Sequence, residues 1–235
     1  AMPFMVTNAE KTSVAMHTLM EEFGQNEYKG MKPLAFHTHD GGKIHTRGQI
    51  VSSAEDIKGL KLRAPNQATG EMLALMGAET VFFPVTEMVV GLSNGVIDGC
   101  CLPYEVVPAF KLQELTKVTN EPEAGGRGIY ANTFALVMNE RKYEGLSDDL
   151  RAVIDAHSGA DLSRRLGAQF DEFEAFGKSV VEKQGNEIHT IAASEINTWR
   201  EMATPIYDNW IGKLNDAGHD GAAIVARANA LLDAG

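Results

Sequence analysis

The sequence has too few cysteines for a disulfide framework. The two that it contains, Cys100 and Cys101, are adjacent, and a disulfide between neighbouring residues would close a strained ring. The spaced cysteine pairs of a structural zinc site are also missing. We therefore expect two small, mostly buried thiols, and we predict neither a cofactor nor a metal ion for this chain.

Long apolar runs and an excess of positive charge are missing as well. No run approaches the roughly 20 apolar residues that a membrane-spanning helix needs. The apolar start, Ala1 to Val6, has no basic lead-in and no cleavage site, so we do not expect a signal peptide there. The net charge of -11 at pH 7 argues against nucleic acid as a partner, because phosphate contacts require basic faces.

Short apolar runs alternate with helical patterns along the chain, which is typical of α/β folds. The apolar residues keep helical phase over 8–24, 67–76, 86–94, about 148–184, 195–217 and 221–233. Strand patterns cover 31–37, 60–64, 80–83, 96–102, 117–120, 130–138 and 187–191. A loop is predicted from His39 to Lys43, and Pro205 should kink the helix that contains it.

The longest helical pattern, about 148–184, begins after the capping residue Ser147 and ends at Gly185. At about 1.5 Å per residue, such a helix would reach across more than one small lobe, so we predict two lobes joined by this helix. Ligands of open α/β sheets bind beyond the carboxyl ends of the strands. The strand ends where a site is expected are His37, Arg63, Phe83 and Leu102.

Arg63 is the strongest single candidate for a binding residue. It closes the strand pattern that starts at Leu60, and Pro65 follows shortly after. A guanidinium at such a crevice can hold a carboxylate through two parallel hydrogen bonds. The alternative is an ordinary surface arginine at a strand end. Arg47, on the preceding turn, is a second basic candidate.

A group of histidines suggests a different chemistry. His37, His39 and His45 lie close to Asp40 in the sequence, and a catalytic zinc ion needs three converging ligands of these types. No spacing within the group is diagnostic of a metal site. Histidines that form hydrogen bonds at a strand end are the alternative.

Two glycine-containing motifs have weak catalytic or binding interpretations. Gly91–Gly95 matches the G-x-S-x-G pattern of hydrolases, but a helix precedes the serine and a strand follows it, which reverses the required order. Gly125–Gly128 has the composition of a phosphate-wrapping loop, yet it lacks the lysine and serine of a P-loop. We expect a helix end and a surface loop, respectively.

Several further segments occur in a fixed order along nearly the whole chain. They are GLKLRAPN (59–66), MGA (76–78), PVTEM (84–88), LSNGVIDG (92–99) and, after Asn139, LSDDL (146–150). In order and spacing they resemble the motifs of the solute-binding proteins of TRAP (tripartite ATP-independent periplasmic) transporters. Several linked motifs in register are far more specific than any one of them alone.

The resemblance implies a two-lobed α/β fold of the periplasmic-binding-protein type (type II), with a cleft between the lobes and a long spine helix, about 148–184, crossing both. We expect lobe I to contain 1–45 and 131–172, and lobe II to contain 46–130 and 173–235. Members of the family extend further at the amino end. Lobe I is therefore expected to be incomplete on its N-terminal side.

The resemblance also implies a function without catalysis. A periplasmic protein of this family captures a small organic carboxylate by closing its lobes and delivers it to a TRAP permease in the membrane. The arginine that matches Arg63 binds the carboxylate in the family, and the position that matches Asn66 often lines the pocket. A metal-dependent enzyme built on the histidine group and a ligand-sensing regulatory domain remain the alternatives.

One departure from the family pattern bears on the ligand. Where related binders tend to carry asparagine before a proline, this chain has Leu102 before Pro103, so an apolar contact replaces a polar one. Phe83 and Tyr104 are expected to add an aromatic wall, and Arg47 and His39 are further predicted ligand contacts. The ligand is therefore expected to be an aromatic or otherwise weakly polar acid.

Overall fold

Two β-sheets organise the computed structural model, which describes residues 2–24 and 26–234. The strands are β1 (Met31–Thr38), β2 (Lys43–Thr46), β3 (Lys61–Arg63), β4 (Glu79–Val81), β5 (Gly99–Leu102), β6 (Val118–Pro122), β7 (Thr133–Asn139) and β8 (Glu187–Ile191). β1 and β7 form an antiparallel pair, and the other six form a mixed sheet in the order β4-β3-β5-β2-β6-β8. The two sheets lie in the two lobes of the molecule.

The helices cover the faces of both sheets. They are α1 (Ala9–Phe23), α2 (Gln67–Leu75), α3 (Val85–Ser93), α4 (Val107–Phe110), α5 (Leu112–Leu115), α6 (Glu140–Glu144), α7 (Asp148–Ala156), α8 (Ala160–Gln184), α9 (Ala193–Met202), α10 (Thr204–Asp216) and α11 (Gly221–Asp233). Short 3-10 turns occupy Ala54–Ile57 and Tyr104–Val106.

Strand directions in the six-stranded sheet create one edge on which a ligand site can form. β3, β4 and β5 are parallel, β6 and β8 are parallel, and β2 runs antiparallel to both of its neighbours, β5 and β6. The carboxyl ends of five strands and the amino end of β2 therefore share an edge, which we call the carboxyl edge. The residues at this edge are Val81, Arg63, Leu102, Lys43, Pro122 and Ile191.

Apolar side chains are buried on both faces of this sheet. Side chains alternate between the faces of a strand, so the neighbours Cys100 and Cys101 point in opposite directions. Cys101 and Ile44 belong to a buried cluster around Trp199, whereas Cys100 and Leu102 belong to a second cluster on the other face. A sheet with both faces buried provides a rigid platform for the residues at its edge.

The sheet of the other lobe has two strands in the described part of the chain. Its α1 packs against β1 and α8. β7 has no second strand partner among the described residues, and it exposes apolar side chains. Phe134 and Leu136 on one face are 40% and 44% exposed, and Val137 on the other face is 37% exposed. Such a strand resembles an interior strand of a sheet more than a solvated edge.

Segments 39–42 and 128–132 connect the two sheets and cross at a pair of glycines. A Cβ atom added to Gly128 would lie 2.6 Å from the Cα of Gly41, and one added to Gly41 would lie 2.8 Å from the Cα of Gly128. Next to this contact, the amide of Gly42 donates a hydrogen bond to the carbonyl of Tyr130 at 2.8 Å. The crossing therefore requires glycine at both positions.

The prediction of a single helix over 148–184 is wrong, because the structure has two helices, α7 and α8, in this segment. The chain leaves helical geometry at 157–159, where Gly159 has a φ of 81°, a conformation that glycine adopts far more readily than other residues. The amide of Gly159 donates instead to the carbonyl of Leu34 on β1 at 2.7 Å. α8 alone still reaches both lobes, since it packs against α1 and against the turn Tyr104–Val106.

Two other predictions need correction. The helix predicted over 195–217 is broken at Ala203 into α9 and α10 rather than kinked, with Pro205 in the first turn of α10. β2 is a strand that the sequence patterns did not predict. α11 packs on both α1 and α10, and Arg227 pairs with Glu22 at 2.6 Å. The lobe boundaries stay a prediction.

Candidate functional site

Arg63 is buried at the carboxyl edge without a counter-ion. It is 6% exposed, and its Nε donates a hydrogen bond to the carbonyl of Phe83 at 3.2 Å. In the described part of the chain, no carboxylate forms an ion pair with it. Burying an unpaired charge is costly, so the remaining guanidinium donors favour an anion that is not part of the polypeptide.

Lys43 lies on the same edge and shows the opposite arrangement. Its Nζ pairs with Asp40 at 2.9 Å and with Glu174 on α8, and the lysine and glutamate side chains are each 10% exposed. Burial alone would lower the pKa of Lys43, but the two carboxylates outweigh burial and raise it. Lys43 is therefore neutralised within the protein, whereas Arg63 has no carboxylate partner in the part of the chain that the structure describes.

The three predicted wall residues belong to or pack against one apolar cluster, and one of them, Phe83, contacts Arg63. Leu102 and Tyr104 are buried in one apolar cluster, and the half-buried Phe83 packs against that cluster. The hydroxyl group of Tyr104 donates to Glu121 at 3.0 Å, and burial followed by the charge of Glu121 raises the pKa of Tyr104. Because the hydroxyl group is already engaged, a contact of Tyr104 with ligand, which stays a prediction, would involve its ring.

Asn66 and His39 are linked to each other through Asn132. Asn66 caps α2 by accepting from the amide of Thr69 at 2.9 Å, and its Nδ2 donates to Oδ1 of Asn132 at 2.8 Å. The amide of Asn132 in turn donates to Nε2 of His39 at 3.0 Å. The Nδ1 of His39 donates to the carbonyl of Asp40, and burial lowers the pKa of His39 to about 4. Both residues thus form hydrogen bonds with the segment 128–132 that connects the two sheets. Their contact with ligand stays a prediction.

Arg47 is not brought near Arg63. It is exposed, and its amide donates to the carbonyl of Asp98 at 2.9 Å. Asp98 also accepts from the amide of Lys61, the first residue of β3, at 2.9 Å. Arg47 therefore lies at the amino ends of β3 and β5. The cause is β2, which carries the chain from Lys43 at the carboxyl edge to the opposite edge of the sheet.

The proposed metal ligands do not converge. His45 accepts at Nδ1 from the hydroxyl of Thr119 at 2.9 Å, and its Nε2 donates to the carbonyl of Leu102 at 3.2 Å. Burial lowers the pKa of His45 to about 4. His37 stacks against the rings of Phe134 and Phe170. Within residues 2–24 and 26–234, no group of three or more histidine, cysteine, aspartate or glutamate residues is arranged to hold a metal ion.

The two cysteines are confirmed as buried, free thiols. Burial raises the pKa of Cys100 to about 12, and it raises the pKa of Cys101 as well. A nucleophilic cysteine needs its thiolate, so neither residue is a candidate for covalent chemistry. Ser93 ends α3, where the sequence places a helix end rather than a nucleophile elbow.

Sequence patterns missed several polar residues of this edge. Lys43, Glu174 and Asn132 were not predicted, since each has a partner that is distant in the sequence. Lys43 and Glu174, for example, are 131 residues apart. One local signal for Lys43 was its position directly after the two glycines of the connecting segment. This position places it at the carboxyl edge of the sheet.

A buried arginine without an ion-pair partner among the described residues lies at the carboxyl ends of parallel strands, where open α/β sheets bind ligands. This arrangement in a two-lobed α/β fold is typical of solute-binding proteins. Comparison with known families is more specific. Residues 1–213 match the family model DctP, described as bacterial extracellular solute-binding protein, family 7. The chain belongs to this family, whose members in TRAP systems are binding proteins and not enzymes. In the parts of the chain that the structure describes, no helix is long and apolar enough to span a membrane.

Two solved structures are similar over nearly the whole chain. A TRAP solute-binding protein from Rhodoferax ferrireducens, in complex with copurified benzoate, is 37% identical with a TM-score of 0.93, covering 99% of this chain and 72% of that one. A marine metagenome TRAP solute-binding protein specific for aromatic acid ligands, co-crystallised with 3-hydroxybenzoate, is 36% identical with a TM-score of 0.92 and the same coverage.

A curated relative carries a different ligand class in its name. The C4-dicarboxylate-binding periplasmic protein DctP of Rhodobacter capsulatus is 27% identical over 184 residues, which are 77% of this chain. This chain spans about half of that relative, namely 53% of its length. The family therefore contains binders of different acids.

Proposed function

We propose that this chain binds the carboxylate group of an aromatic monocarboxylic acid at Arg63. As the binding component of a TRAP transporter, it delivers this acid in the periplasm to a membrane permease. The observation that carries the proposal is the burial of Arg63 without a carboxylate partner among the described residues. A bound carboxylate supplies the missing charge and accepts the free guanidinium hydrogens in a bidentate arrangement.

The surroundings of Arg63 support an aromatic ligand. Leu102, Phe83 and Tyr104 belong to or pack on one apolar cluster, and Phe83 contacts the arginine. Such a wall favours a ring over a second charged group. The two structural neighbours that are 36% and 37% identical hold 3-hydroxybenzoate and benzoate. The periplasmic location and the permease partner are supported by family membership alone.

Calorimetric titration of the protein with benzoate tests this proposal. Truncating one partner of a buried charge pair costs about 2–5 kcal/mol, so Arg63→Ala should weaken benzoate binding by roughly 30-fold or more. Arg165→Ala is the matched control, because Arg165 is exposed on α8 and pairs only with Asp161. The control should bind benzoate as the wild type does.

Two outcomes would contradict the proposal. If the wild-type protein binds neither benzoate nor any other aromatic acid, the ligand class is wrong. If Arg63→Ala binds benzoate as tightly as Arg165→Ala while both remain folded by circular dichroism, the carboxylate is held elsewhere. Mass spectrometry of acids released from the purified protein provides an independent check of the ligand class.

A further inference from the structure

A cavity separate from the candidate site lies between α1, α10, α11 and the paired strands β1 and β7. Its volume is about 600 Å³, and small-molecule sites usually have volumes of about 300–1,000 Å³. The predicted ligand contacts Arg63, Phe83, Leu102 and Tyr104 are not among its described lining residues. The cavity is therefore large enough to hold a small organic molecule at a distinct place in the fold.

The helices give this cavity apolar walls. α1 contributes Met16 and Leu19, α10 contributes Trp210, and α11 contributes Ile224 and Ala228. Methionine side chains adapt to ligands of irregular shape, and a tryptophan ring offers a large flat surface to another ring. Walls of this composition favour a ligand that is mostly apolar.

The charge around the cavity is opposite to the charge at the candidate site. None of its described lining residues is a lysine, an arginine or a histidine, and the exposed Glu27 is the only one with a charged side chain. A carboxylate ligand would lose its hydration here without gaining a cation, which is costly. The cavity therefore favours a neutral molecule, whereas Arg63 favours an anion.

Two threonines supply polar contacts on the strand side of the cavity. Thr38 on β1 lies directly opposite Thr133 on β7, so the two side chains are on the same face of the sheet, and both residues line the cavity. Thr38 is only 1% exposed, and its Oγ1 atom has no hydrogen-bond partner among the described residues. A buried hydroxyl group without a partner is costly, which favours a ligand that can form a hydrogen bond with it.

Contacts between the walls fix the shape of the cavity. Arg227 on α11 holds Glu22 on α1 through two hydrogen bonds, one from Nε at 2.9 Å and one from Nη2 at 2.6 Å. The hydroxyl group of Tyr207 on α10, another lining residue, donates to the carbonyl of Pro3. A site that is already formed loses less free energy to ordering when a ligand binds.

We propose that this cavity is a second binding site, which holds a neutral aromatic alcohol. The ring packs against the methionine and tryptophan side chains of the helices, and the hydroxyl group of the ligand forms hydrogen bonds with Thr38 and Thr133. This site goes beyond the proposed function, because it uses neither Arg63 nor a carboxylate.

Quenching of Trp210 fluorescence by 4-bromobenzyl alcohol tests this inference, because a bromine atom quenches an indole ring on contact. The other tryptophan, Trp199, is buried in a core cluster and does not line the cavity. In the wild type, quenching should saturate as the alcohol is added. 4-Bromobenzoate should bind in the cavity at least roughly tenfold more weakly, because its charge stays unpaired there. This comparison uses Arg63→Ala, in which the candidate site no longer holds the carboxylate.

Two further variants separate the apolar walls from the hydroxyl groups. Ala228→Phe places a ring in the cavity and should abolish the saturable quenching. The matched control is Ala230→Phe on the exposed side of α11, which should leave the quenching unchanged. Replacing Thr38 and Thr133 together with valine keeps the shape of the wall and removes both hydroxyl groups. This double variant should bind the alcohol about three- to tenfold more weakly, and it should bind 4-bromotoluene as the wild type does.

The inference is overturned if quenching of the wild type does not saturate, or if Ala228→Phe is quenched as strongly as Ala230→Phe while both are folded by circular dichroism. It is also overturned if the double threonine variant binds the alcohol and 4-bromotoluene more weakly by the same factor. Ala228→Phe should still bind benzoate as the wild type does. That calorimetric readout distinguishes a failure of this site from a failure of the proposed function.

Discussion

Replacing Glu174 with glutamine tests the ion pair that connects β2 to α8. Lys43 and Glu174 are each 10% exposed, and the carboxylate accepts from both the lysine and the amide of Glu105. Glutamine removes the charge, and its amide NH2 group must face one of these two donors. The substitution therefore leaves the buried ammonium group of Lys43 with one carboxylate partner instead of two. It also leaves one hydrogen-bond donor without an acceptor.

The magnitude follows from this geometry. Breaking a buried ion pair by removing one partner costs about 3–5 kcal/mol. Asp40 still pairs with Lys43 at 2.9 Å, so we expect Glu174→Gln to lower the free energy of unfolding by about 2–3 kcal/mol. For a chain of this size, about 2–4 °C of melting temperature corresponds to each kcal/mol. The melting temperature should therefore fall by roughly 5–10 °C.

Urea unfolding followed by circular dichroism measures this effect. Glu172→Gln is the matched control on the same helix, because Glu172 is exposed and accepts only from Gln169. It should change stability by less than about 0.5 kcal/mol. The double variant Lys43→Met with Glu174→Gln should be less destabilised than the sum of the single variants. Strict additivity, or equal effects of Glu174→Gln and Glu172→Gln, would refute the argument.

Packing and protonation give two further predictions. Gly177→Ala should lower the free energy of unfolding by about 1–3 kcal/mol, because its Cβ atom would lie 2.0 Å from the carbonyl oxygen of Tyr104. Gly212→Ala, with open space around it, should be neutral or stabilising. Equal melting temperatures of these two variants would contradict this prediction. Burial lowers the pKa of His39 and His45 to about 4, below the unfolded value of about 6.5. The unfolded chain therefore takes up protons that the folded chain excludes, and stability should fall by about 2 kcal/mol per histidine between pH 7 and pH 5; equal urea midpoints at the two pH values would contradict this.

Local sequence patterns predicted the type and order of most helices and strands. They failed where contacts between distant residues determine the secondary structure. β2 contains only four residues, Lys43–Thr46, and its polar side chains are buried by partners on other strands and on α8. No alternation of apolar and polar residues reveals such a strand. The helix break at Gly159 was missed for a related reason. Apolar residues keep helical phase on both sides of it, and only the contact with Leu34 shows that the chain turns.

The candidate site was predictable where one rule of topology sufficed. Arg63 ends a parallel strand, so the position of strand ends placed it at the carboxyl edge. Arg47 was misplaced because the intervening strand β2 moves it to the other edge. Lys43 was not predicted at all, because its partner Glu174 is 131 residues away in the sequence. The ion pair becomes visible only when α8 is seen to pack against the end of β2.

The crossing of Gly41 and Gly128 has a consequence for how this chain can vary. A Cβ atom added to either glycine would lie 2.6–2.8 Å from the Cα atom of the other, so a larger residue at one position displaces the opposite segment. A second substitution cannot relieve this contact, because both positions already carry the smallest residue. We therefore expect glycine to be retained at both positions together in any library of variants that is selected for folding.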